Sequence, residues 1–389
     1  MTEGTPPRAP VVLQVLPALE SGGVERGTVE IAGAIARAGG TALVASAGGR
    51  LAAEVERAGG RSITLPLDSK SPVQVWRNAG RLAALIRAER VDIVHARSRA
   101  PAWSAWLATR RTGVHFVTTY HAPYGERPRL KRAYNAVMAR GEVVIAISRH
   151  IAGVVAARHA VNWARIRIIP RGVDPDVFDP AAVGAARTAA LARSWGVPEG
   201  TPLLLLPGRL TRWKGQEIVI AALARMRHSE AVAVLAGGDR GRRRYVDGLL
   251  ALAARLGVAG RLRLVGHADD MPAALALADI VISASTEPEG FGRVVIEAQA
   301  MARPVVATDH GGAAETVTHG DTGWLVRPGD AVALAAALDA VLDLPPEARA
   351  SVGARARAAV QARYTVTAMQ QATLEVYRQL LAAGPAGRR

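Results

Sequence analysis

The feature that most constrains this chain is an alternation of short apolar runs with longer amphipathic segments, and the alternation begins twice. The first series opens with "VVLQVLPAL" (11–19), followed by the helix pattern "VERGTVEIAGAIARAG" (24–39), and continues through "TALVAS" (41–46), "VDIVHA" (91–96), "HFVTTY" (115–120) and "EVVIAIS" (142–148). The second opens with "PLLLLPGRL" (202–210) and the helix pattern "GQEIVIAALARM" (215–226). It continues through "AVAVLAGG" (231–238), "LRLVGH" (262–267), "DIVISAS" (279–285) and "RPVVATD" (303–309). Runs that are apolar along their whole length are strands buried on both faces, which predicts parallel sheets covered by helices. At 389 residues the chain is long for one core and suits two domains. The expected fold class is α/β, with two Rossmann-like doubly wound parallel-sheet domains facing across a cleft. The expected boundaries are residues 1–180 for the first domain and 181–365 for the second. The proline-bearing stretch "RGVDPDVFDP" (171–180) is the linker. Residues 366–389 form a terminal helix that packs back on the first domain and ends in a frayed tail.

Composition removes several chemistries. The chain has no cysteine, which excludes disulfides, thiolate nucleophiles and cysteine zinc sites. The start, "MTEGTPPRAP", lacks a charged-then-apolar leader pattern, and no run reaches the ~18 apolar residues of a membrane span. A cytoplasmic protein, soluble or peripheral on the inner face of the membrane, is expected. The net charge of +16, from 49 Lys and Arg against 33 Asp and Glu, suits anionic partners. An arginine-rich composition bias accounts for the same number without any partner, and both readings stay open. Lysine occurs only at 70, 131 and 214, so a lysine here marks a place where a compact ammonium is used instead of a guanidinium. The segment "RPRLKRAYNAVMAR" (127–140) reads either as a helix lying on an anionic membrane surface or phosphorylated glycolipid, or as a solvated charged helix. Few aromatics and no basic cluster with interleaved stacking residues argue against nucleic acid.

Ligands of open α/β sheets bind beyond the carboxyl ends of the strands, and four loops at such ends carry unusual residues. In "ALESGGVERG" (18–27), Gly22 and Gly23 precede a helix N-terminus and form either an anion site or a tight turn. The loop is not GxGxxG, and no acid ends "TALVAS", which weakens a nicotinamide or flavin oxidoreductase reading. In "PGRLTRWKGQE" (207–217), Arg209 and Lys214 can hold the two phosphates of a diphosphate, or they belong to a solvated basic loop. In "TEPEGFGRVVIEA" (286–298), Gly290 and Gly292 bare backbone amides at the start of a helix, between Glu289 and Glu297. A carboxylate accepts two hydrogen bonds and suits a sugar diol. Glu289 is also explained as an acid at a helix N-terminus, whereas Glu297 among Val294, Val295, Ile296 and Ala298 needs a polar partner. In "TDHGGAAETV" (308–317), Gly311 and Gly312 offer another turn rich in N–H groups, beside His310 and Glu315. His121, after "HFVTTY", and His95 stand at strand ends as catalytic or structural histidines. No HExxH or comparable spacing is present, so no metal site is expected.

Taken together, these residues resemble the retaining GT-B members of the glycosyl transferases group 1 family. "EPEGFGRVVIE" is similar to the family's glutamate–seven residues–glutamate motif, and "GRLTRWKG", "LAGGD", "VGHADDMP", "RPVVATDHGGAAETV" and "TGWLVRPGD" follow in family order. "GGVERG", "TTYH", "AIS" and "IPRGVD" match more loosely, with Arg171 where the family often has Asn. The resemblance implies a UDP- or GDP-sugar donor as substrate, with no bound cofactor, and a glycan or glycolipid acceptor of the cell envelope or lipopolysaccharide core. It implies that Arg209 and Lys214 neutralise the donor diphosphate. Glu289 with the amides of Gly290, Phe291 and Gly292 would hold the sugar hydroxyls, and Glu297 the ribose. Gly22 and Gly23 would approach the diphosphate across the cleft, His121 would lie near the reacting carbon, and His267 would border the base. A nucleotide-sugar epimerase of the same fold is the nearest alternative.

Overall fold

The computed structural model describes residues 9–20, 22–125 and 129–384. Residues 1–8, Ser21, positions 126–128, of which 127 and 128 belong to the basic segment, and the residues beyond 384 lie outside the described residues. The chain divides into two compact units, one of Met1–Pro170 with Thr367–Arg389 and the other of Arg171–Val366.

Unit 1 contains seven strands: β1 (Val11–Val15), β2 (Thr41–Ser46), β3 (Arg61–Thr64), β4 (Ile93–Ala96), β5 (His115–Tyr120), β6 (Val143–Ala146) and β7 (Ile166–Ile168). They form one sheet in the order β3-β2-β1-β4-β5-β6-β7. Unit 2 contains β8 (Leu203–Pro207), β9 (Val232–Ala236), β10 (Leu262–Gly266), β11 (Ile280–Ser283), β12 (Val305–Thr308) and β13 (Trp324–Val326). Their order is β10-β9-β8-β11-β12-β13. Every strand pairing within the two sheets is parallel. Each sheet therefore reverses its winding once, between β1 and β4 in unit 1 and between β8 and β11 in unit 2.

The run "LLLL" of β8 shows why such strands carry no polar alternation. Leu204 and Leu206 belong to the core on one face of the sheet, and Leu203 and Leu205 to the core on the other. All four are at most 2% exposed. Truncating any of them to alanine removes about 2–5 kcal/mol. β3, β7 and β13 are the short outer strands, each with one neighbour. They read "RSIT", "IRI" and "WLV" and carry no continuous apolar signal, so the sequence pattern does not single them out.

The helix Val366–Ala382 returns to unit 1, where Met369, Val376, Tyr377 and Leu380 join the core that includes Val12, Ile31 and Ile93. The stretch 171–180 is folded onto unit 2. Phe178 packs against that unit's core, Asp179 pairs with Arg357 at 3.0 Å, and Val173 donates its N–H to Tyr364 O at 2.8 Å. Among the described residues no helix is long and apolar enough to cross a membrane.

Candidate functional site

Two loops of unit 2 leave the strands that flank its winding reversal, and the chain stitches them together. After β8, Gly208 and Gly215 bracket the short turn Arg212–Lys214. Gly215 has φ +75°, and a Cβ there would stand 1.9 Å from Ala284 O. Only glycine lets this loop approach the end of β11 so closely. Thr286 N–H then donates to Trp213 O at 2.8 Å, closing the second stitch.

The buried side chain of Gln216 steadies the Arg209 backbone, donating from Nε2 to Arg209 O at 3.1 Å and accepting from the Tyr245 hydroxyl at 3.0 Å. Burial, with Glu217 adding to it, pushes that phenol up to about 12.

The outcome is an ion pair. Lys214 Nζ donates to Glu289 Oε1 at 2.7 Å, and both side chains are largely buried, at 15% and 13% exposure. Ser285 Oγ donates to the same oxygen. Oε2 of Glu289 has no partner among the described residues and keeps its capacity to accept hydroxyl protons. The lysine ammonium also lies 4.6 Å from the centroid of the Trp213 ring. Arg209, by contrast, is exposed, and its guanidinium meets no carboxylate within ion-pair distance among the described residues. One cation is thus held against a half-satisfied carboxylate, and the other, on the same loop, is exposed.

The turn after Glu289 is shaped by the fourth loop. Gly292 has φ +82° and caps the helix Arg293–Ala300. A Cβ on Gly311 would meet Glu289 N and O at 2.7 Å, and one on Gly312 would meet Gly290 O at 2.4 Å. Gly312 donates its N–H to Glu289 O at 2.9 Å. This corrects the sequence reading for Gly312, whose amide holds the Glu289 backbone instead of standing open to a ligand. His310 has a supporting place too. Its Nε2 bonds Ser285 O at 2.8 Å, and Thr308 Oγ1 donates to that same carbonyl at 2.9 Å. Phe291 is buried edge-on against Tyr364 with ring centroids 5.7 Å apart, which leaves its backbone as the part that can serve a ligand.

Glu297 lies one turn into the helix, 13% exposed, with Arg293 Nε 3.3 Å from its carboxylate. Arg293 is a polar partner of the kind that its apolar neighbours require. His267, beyond β10, is exposed and 3.7 Å from Asp269.

Unit 1 holds the remaining residues. Gly22, at φ +148°, caps the helix Gly23–Arg37. Glu25 folds back over this turn, with Oε2 2.6 Å from where a Gly22 Cβ would stand, so an anion arriving there competes with a carboxylate already at the helix N-terminus. His121 follows β5 and is partly buried, and burial pushes up the phenol of the nearby Tyr124, an effect that Arg99 and then the His121 backbone oppose. His95 is fully buried between the Tyr377 hydroxyl and Thr119 Oγ1, at 2.6 Å from each. That arrangement anchors the terminal helix to the sheet.

The structure thus brings Arg209, Lys214, Glu289, Gly290, Phe291, Gly292 and Glu297 onto adjoining loops of one unit, while Gly22, Gly23 and His121 belong to the other. Ser285, Trp213, Gln216 and Arg293 escaped the sequence reading. The one signal for Ser285 was a hydroxyl four positions before Glu289, and nothing local marked the other three.

Comparison with known proteins adds the family context. The model for "Glycosyl transferases group 1" matches residues 188–359, and the model for "Glycosyltransferase Family 4" matches residues 21–177. The D-inositol 3-phosphate glycosyltransferase of Xylanimonas cellulosilytica is 32% identical over 319 residues, which are 76% of this chain and 73% of that protein. A glycosyltransferase from Rickettsia africae superposes with a TM-score of 0.89 at 36% identity, over 96% of this chain and 99% of that one. Anabaena Alr3699/HepE in complex with UDP-glucose superposes with a TM-score of 0.83 over 95% and 99% of the two chains. At 24% identity it speaks for the fold alone.

Proposed function

The chain belongs to the glycosyl transferases group 1 family, enzymes of GT-B fold, and from that premise we propose that it moves a hexose from a nucleotide-diphosphate sugar to an acceptor hydroxyl with retained anomeric configuration. The observation that carries the reading is the Lys214–Glu289 pair, with Ser285 on the same oxygen, at the winding reversal of unit 2. In ligand-free protein each charge neutralises the other. A donor diphosphate competes for Lys214 and draws in the exposed Arg209. Glu289, relieved of its cation, then accepts from two sugar hydroxyls.

In the reaction the acceptor oxygen bonds to the anomeric carbon on the face from which the diphosphate departs. The carbon–phosphate-oxygen bond breaks, and the hydroxyl proton passes to the leaving phosphate oxygen. Negative charge grows on that phosphate, where fixed cations are most effective. Glu297 is the reading for the ribose diol, and unit 1, with His121, for the acceptor. A uridine nucleotide is the first donor to try, since HepE was solved with UDP-glucose. The acceptor is a glycan, a glycolipid or a phosphorylated polyol of the kind in the relatives' name.

The basic helices of unit 1 add a proposal about location. Leu130 and Trp76 are 82% and 65% exposed, and Arg111 and Arg140 lie over the rings of Trp76 and Trp106. Exposed apolar side chains interleaved with cations suit the anionic inner surface of a membrane.

A panel of nucleotide sugars scored by thermal shift, followed by NMR of the product anomer, tests the function. Inverted product ends the retaining mechanism. A new sugar formed from donor alone, without acceptor, reassigns the chain as an epimerase. Loss of activity in EDTA with rescue only by added metal ends the role given to Arg209 and Lys214.

A further inference from the structure

We propose that Arg97 anchors a phosphate group of the acceptor at the winding reversal of unit 1, an inference that rests on the glycosyl-transfer reading above and names its acceptor class. Arg97 is the first residue beyond β4, and its N–H donates to Val15 O at 2.9 Å, which fixes it beside the end of β1. It therefore occupies the point in the unit 1 sheet that corresponds, by strand order, to the loops of Lys214 and Glu289 in unit 2. This is the place where open α/β sheets bind ligands.

Its surroundings do not account for it. Arg97 is 3% exposed, and Nε has no hydrogen-bond partner. No carboxylate among the described residues lies within ion-pair distance of the guanidinium. Other partly buried arginines of this chain donate to fixed acceptors; even Arg303, whose Nε is likewise unpartnered, donates from Nη1 to Ala278 O at 3.3 Å. Arg165 donates to Ala139 O and Gly141 O, Arg99 to Asn135 Oδ1, and Arg261 to the carbonyls of Ala231, Leu223 and His228. Burial draws the Arg97 pKa below the usual guanidinium range, and the more distant Tyr377 and Glu30 only oppose this. An uncompensated buried charge is costly. A guanidinium fork that lacks a partner matches a phosphate, which accepts two of its hydrogen bonds at once. The surplus of cations in unit 1, 27 against 12 acids, draws anions toward it.

The phosphate could belong to the acceptor or to the donor, and the test separates them. Thermal unfolding of the full chain is followed in inorganic phosphate and in chloride of equal ionic strength, for the native protein, Arg97→Met and Lys214→Ala. The expected result is stabilisation by phosphate in the native protein and in Lys214→Ala, with the response weakened in Arg97→Met, where the donor cations remain, and lost when Arg97→Met is combined with Lys214→Ala. In chloride, Arg97→Met should unfold at or above the native temperature, since it removes an unpaired buried charge. Arg97→Lys should keep part of the response.

With hexose phosphates as acceptors, Arg97→Met should raise KM roughly 10–100-fold while leaving kcat and donor hydrolysis near native. A phosphate response that is undiminished in Arg97→Met or survives in the combined variant, or one that disappears in Lys214→Ala, overturns the inference. So does a fall in both kcat and unfolding temperature in Arg97→Met, the mark of a structural arginine. Since Lys214→Ala also reports donor hydrolysis, the transfer reading can stand or fall separately.

Discussion

The two units share one winding plan and differ in how they treat charge. Unit 2 carries 22 Lys and Arg against 21 Asp and Glu, a net of +1, whereas unit 1 carries 27 against 12, a net of +15. Their lengths are nearly the same, so cation density barely changes. What unit 1 lacks is acids. A composition bias toward arginine explains the cations of both units but not this segregation. In unit 2 the cations meet carboxylates, as in Lys214–Glu289, Arg293–Glu297, Arg187–Asp270 and Arg355–Asp321. In unit 1 several rest on aromatic rings, such as Arg99 on Tyr124 at 4.1 Å and Arg140 on Trp106 at 4.2 Å. A balanced unit holds its reactive charges in fixed pairs that a ligand must rearrange. An unbalanced one leaves its field open to whatever anion arrives.

The largest effect expected from breaking this contrast is catalytic. Lys214→Ala strips unit 2 of its placed cation and leaves a buried carboxylate unpaired. Turnover should fall ~10²–10³-fold, and the unfolding temperature should drop as well. Glu289→Gln keeps the shape and an acceptor oxygen but weakens the sugar grip. A turnover assay with a nucleotide-sugar donor checks both variants, and near-native rates in the two together would remove the site from unit 2.

Next comes the rigidity of the two glycine turns. Gly215→Ala forces a left-handed backbone on alanine and drives a methyl into the Ala284 carbonyl, so it should destabilise by about 2 kcal/mol or more. Gly22→Ala has its own unfavourable φ but meets only the movable end of the Glu25 side chain, and it should lose less. Denaturant unfolding of both variants orders them. An equal loss would mean that the unit 2 loops are no more tightly stitched than those of unit 1.

What the sequence revealed follows the same physical line. β8, β9 and β11 were legible because strands buried on both faces are apolar throughout. β3, β7 and β13 were not, because an outer strand of three or four residues carries too little pattern. Arg209, Lys214 and Glu289 stood out by residue type at strand ends. Their pairing did not, because Lys214 and Glu289 are 75 positions apart and only the adjacency of β8 and β11 brings them together. The same long-range packing turned Gly312 from a ligand amide into a brace for Glu289, and it hid Arg97. An arginine in "HARSRA" looks like any surface arginine until the fold buries it.

A smaller effect is expected at the exposed basic face of unit 1. Each cation near an anionic bilayer contributes ~1 kcal/mol, so charge reversal at Arg110 or Arg111, which removes an attraction and adds a repulsion, should weaken flotation with phosphatidylglycerol vesicles about 10- to 30-fold per residue. Reversal at Arg225, on unit 2, should leave flotation unchanged. Flotation that ignores salt and these substitutions would mean that the cations of unit 1 are simply solvated.

The smallest effect tests whether unit 2's balance extends to its periphery. His228 lies between Glu230 and Asp343, with Nδ1 at 2.9 Å and Nε2 at 3.0 Å from their oxygens. Hydrogen bonds to Glu230 and then Asp343 raise its pKa above the ordinary histidine value. Because the folded state binds the proton more tightly, the resulting stability is fully present below about pH 6.5 and is lost as pH rises through the raised folded value. Thermal unfolding between about pH 6 and pH 8 should therefore show a small decline in the native protein and a flatter profile in His228→Asn. The cluster is largely exposed to solvent, so the decline should be slight and should shrink further in high salt. A profile unchanged by His228→Asn would place the pH dependence elsewhere, and charge pairing in unit 2 would then matter only where the donor binds.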